Sequence, residues 1–199
     1  DCPGPEDEAR VVALMMREAL ETPERTAALV TPDRRLARRV AAELKRWDIA
    51  VDDSAGTPLA HTPAGAFLNL TAELVACDFS PVQLLAAGKH PLAALGRPPA
   101  LLRRQIRALE IAVLRGPRPE GGLTDMITRL GDEGARLAAL LKDLETASQP
   151  FAEILAGPPT SLSDIANAHI AFAETLAATD SDNGPDRLWS GAAGEAAAS

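Results

Sequence analysis

Tyrosine is missing from these 199 residues, and four Phe and two Trp bring the aromatic share to only 3%. So thin a supply excludes the stacked-aromatic platform of single-strand nucleic-acid binders. Cysteine is almost as scarce: Cys2 and Cys77 lie 75 positions apart, which fits neither metal-ligand spacing nor a disulfide-stapled secreted fold and points to the cytoplasm. No apolar run reaches the roughly 18 residues of a membrane helix, and the N-terminus lacks the basic-then-apolar order of a signal peptide. G-x-x-x-x-G-K-[ST], G-x-S-x-G and H-E-x-x-H are all absent. With them go a self-contained nucleotide triphosphate cradle, a hydrolase nucleophile elbow and a zinc peptidase helix. His61, His90 and His169 stand alone and read as structural or merely exposed. No catalytic residue and no metal ligand is assigned.

What the chain does have is ordinary globular composition, 46% apolar and 24% charged, at a length that buries a real core. It opens on Asp1 rather than Met, and a segment of a longer protein is expected. The formal net charge of −8 is unevenly spread. Residues 1–32 carry 3 basic and 7 acidic groups, residues 33–119 carry 13 and 8, and residues 120–199 carry 4 and 13. A basic middle between acidic ends marks either an anion-binding face or solvated helix surfaces.

Residues 6–21 predict a helix, with Val11, Leu14, Met15 and Leu20 near one face and Glu6, Asp7 and Glu8 at its N-terminal turn. Residues 26–31, TAALVT, read as a buried strand bounded by Pro32. Residues 33–47 repeat Leu36, Val40, Leu44 and Trp47 as one helical stripe, and residues 49–53, IAVDD, read as a second strand. Strand, helix and strand in this order make a minimal parallel βαβ unit. After Gly56 only helices are predicted, over 63–76, 80–87, 98–114, 123–146 and 161–178. Thr62 and Ser161 stand as N-caps, and an Ala-rich end carries Trp189. The Pro/Gly stretch 116–122 reads as a loop. The expected fold is therefore α/β plus α, mostly helical overall: an α/β unit over 1–60 and a helical domain over 61–199.

Two basic clusters carry the candidate chemistry. In T-P-D-R-R-L-A-R-R-V (31–40), Arg34 and Arg35 occupy the first turn of a helix, against the helix dipole. They suit an anionic partner or form part of a solvated face. Arg103, Arg104 and Arg107 lie off the apolar stripe of 98–114; they suit a nucleic-acid backbone or pair with the acidic last third. Asp52 and Asp53 alternate on a strand, so they diverge from any shared metal. A turn and capping cluster with Ser54 and Gly56 is the expectation there.

The phrase T-A-A-L-V-T-P-D-R-R-L-A-R-R-V-A-A-E-L-K-R-W-D-I-A-V-D-D-S-A-G-T-P-L (26–59) resembles the AddB family. These are the nuclease-bearing subunits of bacterial AddAB double-strand-break repair complexes, here in alphaproteobacterial form. The likeness continues in T-P-A-G-A-F-L (62–68), H-P-L-A-A-L-G (90–96) and, more loosely, L-W-S-G-A-A-G-E-A-A-A (188–198). It implies a central, non-catalytic fragment of a helicase-shaped subunit, with T-P-D-R at 31–34 resembling the fourth conserved motif of superfamily 1 helicases. That motif opens a second RecA-like domain, into which the helical part after residue 60 would be inserted. Arg34 then matches the arginine that reaches nucleotide phosphates. The resemblance further implies an AddA motor subunit as partner, DNA (duplex end, forked or single strand) as ligand, and hotspot recognition as task. It places ATP, Mg2+, the exonuclease motif and an iron–sulfur cluster elsewhere in the complex, so this segment holds no cofactor and Cys2 and Cys77 are not cluster ligands. The rival reading is a free-standing helical protein–protein interaction module without a DNA role.

Overall fold

The structure, a computed structural model, describes residues 2–116, 122–131 and 134–198. The chain divides into two compact units, Asp1–Gly56 and Thr57–Ser199.

The first unit is a pair of helices, α1 (Pro5–Leu20) and α2 (Arg34–Lys45). Pro5 sits at the first turn of α1, where its missing N–H costs nothing, and Glu6, Asp7 and Glu8 meet the positive end of the helix dipole. Asp33 caps α2 by accepting from the backbone N–H of Arg35 (2.7 Å) and Leu36 (3.3 Å). The far end of α2 closes through an Asp48 at φ 56°. There Asp48 N donates to Lys45 O and Ile49 N to Leu44 O, which satisfies two carbonyls that a helix end would otherwise strand. Ala9 and Ala13 of α1 and Val40 and Leu44 of α2 are buried between the helices, with Val12, Met16, Leu29, Leu36, Trp47 and Ile49 packed around them.

The expected βαβ unit is not formed, and with it goes the parallel sheet of a partial RecA-like domain. Residues 26–31 and 49–53 are irregular, and no strand occurs among the described residues. The reason lies in what the two segments do at their ends. Ile49 is drawn into the closure of α2, Thr31 turns its hydroxyl to accept from Asp33 N at 3.0 Å, and Asp53 accepts from Ala55 N at 3.1 Å. These are turn and cap bonds, and they compete with a ladder. Val30, 95% exposed, and Val51, 42% exposed, are not the buried residues that a central strand requires.

The second unit is helical: α3 (Pro63–Ala76), α4 (Pro81–Gly88), α5 (Pro99–Leu109), α6 (Gly122–Leu130), α7 (Ala135–Ala156), α8 (Leu162–Ala177), α9 (Gly184–Leu188) and α10 (Gly191–Ala198). A short 3-10 turn at Leu59–His61 leads into α3, and α5 runs on into a π turn at Glu110–Leu114. Thr62 caps α3 through Gly65 N and Ser161 caps α8 through Asp164 N, both at 3.1 Å. The expected continuous helix over 123–146 is instead two, and most of the 116–122 loop lies outside the described residues. Helix α7 also continues past an exposed Pro150 to Ala156. Phe67, Leu74, Leu84, Leu102, Leu109, Met126, Leu140, Leu141 and Phe172 form a single core. The C-terminus of α8 is fastened to the loop before α5: Ala94 N and Leu95 N both donate to Leu176 O, and Gly96 N to Ala178 O.

Candidate functional site

Arg34 begins α2, where the Asp33 cap holds it beside the 53–56 turn. Its guanidinium donates to both carboxylate oxygens of Asp53, at 2.9 and 2.7 Å, and to Gly56 O at 3.2 Å. This is the bidentate fork that suits arginine to oxyanions, and it is filled from within the unit. The pair is mutual: the Asp53 carboxylate raises Arg34, and the Arg34 fork with the Ala55 N–H holds Asp53 below the usual carboxylate range. Asp53 is thus a counterion and turn residue. Arg34, the motif-matched candidate, presents no open fork to a phosphate.

Arg35, by contrast, is exposed and makes no ion pair with a described residue. The helical repeat brings more cations to its side: at 3.6 residues per turn, Arg35, Arg38, Arg39, Ala42, Lys45 and Arg46 share one face, all exposed. Among the described residues, the ion pair on this face is Arg46 with Glu43, at 2.9 Å. The opposite face of α2 carries Val40 and Leu44 into the core. The first turn of the helix gives only Arg34 and Arg35; the wheel that gives the apolar stripe also gives Arg38, Arg39 and Lys45.

In the second unit five of the ten cations among the described residues are engaged. Lys89 and Arg115 both pair with Glu110 (2.6 and 3.0 Å), Arg129 pairs with Asp125 (2.8 Å), and Arg97 pairs with Asp143. Arg187 donates to the carbonyls of Leu92 and Ala177. Arg103, Arg104 and Arg107 project from the outer face of α5, exposed, with no ion pair to any described residue; Arg136 and Lys142 on α7 are likewise exposed without one but lie six residues apart and form no cluster. Leu102, Ile106 and Leu109 fix that orientation by filling the core from the other side of the helix.

One polar node is buried between α3 and α8. His169 Nε2 lies 2.8 Å from Thr71 Oγ1 and 3.1 Å from Leu68 O, with its ring 5.0 Å from that of Phe151. A hydroxyl against an imidazole has the outline of a nucleophile and base, but Thr71 is fully buried and donates to Leu68 O at 2.9 Å. No substrate reaches that oxygen, so the node pins α8 to α3. Burial pushes His169 below its ordinary value, against the pull of the Leu68 carbonyl, and burial does the same to His90. Both cysteines are free and exposed, and no three His, Cys, Asp or Glu converge as metal ligands among the described residues. No helix is long and apolar enough to cross a membrane among those residues.

Compared with known proteins, the chain matches no family model, no curated protein and no solved structure.

Proposed function

We propose that this chain is a non-catalytic, DNA-backbone-binding segment of a double-strand-break repair helicase–nuclease subunit of the AddB kind, working beside an AddA-type motor in the cytoplasm. One observation carries the DNA role: Arg103, Arg104 and Arg107 lie together on one exposed helix face, with no ion pair to any described residue, while Lys89, Arg97, Arg115 and Arg129 are held by carboxylates. Three guanidinium groups on one helix face attract phosphates, and each phosphate neutralised releases counterions and adds a salt-dependent increment to affinity. The subunit assignment rests on the resemblance at 26–59.

The test is fluorescence anisotropy of the full chain with a 20-base-pair duplex across a salt series. Wild type should bind more weakly as salt rises, and Arg103→Ala/Arg104→Ala/Arg107→Ala should flatten the log–log salt slope by about 2.7, from 0.9 per duplex phosphate contact. An unchanged slope, or no binding at low salt, refutes the reading. A protein-interaction module without a DNA role is the second reading, favoured by Val11, Leu14 and Met15 exposed along α1 at 45%, 53% and 64%. It predicts no salt-dependent DNA binding at all.

A further inference from the structure

We infer that the outer face of α2 is a second, separate binding site, built for the phosphodiester backbone of double-stranded DNA. It deepens the DNA reading but stands on a different unit and different residues.

The face reads Arg35, Arg38, Arg39, Ala42, Lys45 and Arg46. From Arg34 to Arg46 the chain carries six cations and one carboxylate, Glu43. Such a density of like charge on one rigid helix is self-repulsive, and like pairs at i,i+4 such as Arg35 and Arg39 weaken a helix. Arg35 also faces the positive end of the dipole, a cost that the Asp33 cap offsets. An arrangement unfavourable to the isolated helix becomes favourable once an array of anions lies against it.

The spacing and chemistry select the ligand. The cations fall into two groups, Arg35 with Arg38 and Arg39, and Lys45 with Arg46. Seven residues separate Arg38 from Lys45, roughly 10 Å of helix rise. That separation is close to the roughly 12 Å width of the duplex major groove, so the two groups reach phosphates of the two facing strands. Ala42, exposed between them, leaves room for close approach. Trp47 is the single aromatic of residues 1–56, and it is half-buried beneath the Arg17 guanidinium, 4.9 Å from ring centre to Cζ. No exposed ring is left for unstacked bases, and contacts confined to phosphates carry no sequence information. The site is therefore sequence-neutral and favours duplex over single strand. Within the unit, Asp33 interacts with Arg35 and Arg39, and Asp53 with Arg38, so these two carboxylates are the ones that a DNA phosphate must compete with on this face.

The test uses the full chain, a 20-base-pair duplex of arbitrary sequence and a 20-nucleotide oligo(dT), with the salt slope as readout. Arg35→Ala/Arg38→Ala/Arg39→Ala is expected to flatten the duplex slope by about 2.7, with unchanged helical circular dichroism because exposed Arg→Ala costs a helix nothing in propensity. Glu43→Gln, which releases Arg46, is expected to tighten binding. A slope for the triple variant equal to wild type, or oligo(dT) binding as tight as duplex, overturns the α2 site. If the α5 triple variant loses slope while the α2 variant does not, the proposed function stands and this site falls. If wild type binds no duplex at low salt, both fall.

Discussion

Between α1 and α2, burial is achieved by Ala9, Ala13, Val40 and Leu44 and a ring of half-covered neighbours; after Thr57 it is achieved by Phe67, Leu74, Leu102, Met126, Leu140, Leu141, Phe172 and many more. Two alanines contribute little apolar area, so the first unit relies more on local devices, the Asp33 cap and the Asp48 closure, while the exposed Arg34–Asp53 clasp fixes only the segment that ends in the 53–56 turn. The second unit has a core of large side chains and ties four of its cations into internal ion pairs. The thin unit carries the denser exposed positive charge, and the thick one has a single arginine cluster, on α5, without an ion pair among the described residues. Stability and ligand attraction are therefore separable in this chain, because the residues that could bind phosphate point away from the residues that hold the fold.

Core truncation should show that contrast most strongly. Phe172 is 2% exposed and stacks on Phe151, so Phe172→Ala should cost the second unit roughly 3–5 kcal/mol, read as a lowered urea midpoint. Leu44→Ala, in the thin core, should instead open the α1–α2 pair locally. Hydrogen exchange would speed up across α1 and α2 while the second unit's midpoint holds; a fall in that midpoint would break the separation. A smaller effect is expected at Gly184, where an added Cβ would lie 1.8 Å from Glu174 O. Gly184→Ala must displace α9 from α8 and should cost about 1–3 kcal/mol, whereas a midpoint within 0.3 kcal/mol, about the additivity error, would mean the contact relaxes freely.

Acid should act on the second unit through its histidines. His169 and His90 are held below the ordinary value of 6.5 by burial, so the unfolded chain takes up their protons first. Their contribution is complete above about pH 6.5 and is lost as pH falls through that value towards the folded one. His169→Phe should remove part of the decline between pH 7 and 5 and leave the share of His90. The smallest effect belongs to Arg34→Ala: no measurable change in the urea midpoint, but faster proteolysis within residues 49–56 as the Asp53 clasp is released. Protection equal to wild type there would mean the clasp does not hold the segment.

Helices with a long apolar repeat were legible because one physical rule, a buried stripe at helical spacing, governs both the sequence signal and the packing. That is why 63–76 and the Leu36–Val40–Leu44 stripe can be read directly, and why Thr62 and Ser161, whose side chains have only a local partner to find, could be recognised as caps. The short apolar runs at 26–31 and 49–53 were not legible as they are. A run of that length signals burial without saying against what, and here Leu29 and Ile49 turn to the helix pair while Val30 and Val51 face solvent. The break between α6 and α7 was hidden because Leu130 and Leu137 continue the heptad across it. Arg35 and the α5 triad could be named as candidates from their positions alone. The Arg34–Asp53 pairing could not, since it joins residues 19 apart whose approach depends on the turn after 49–53.

The central claim is that the affinity of this chain for DNA is electrostatic and resides on two outward helix faces. The most direct measurement is the salt slope of 20-base-pair duplex binding for the variant with Arg35, Arg38, Arg39, Arg103, Arg104 and Arg107 all replaced by alanine. The account predicts a loss of about 5 in the log–log slope relative to wild type, near 0.9 for each cation removed, with an unchanged urea midpoint. A sextuple variant that keeps the wild-type slope would contradict it.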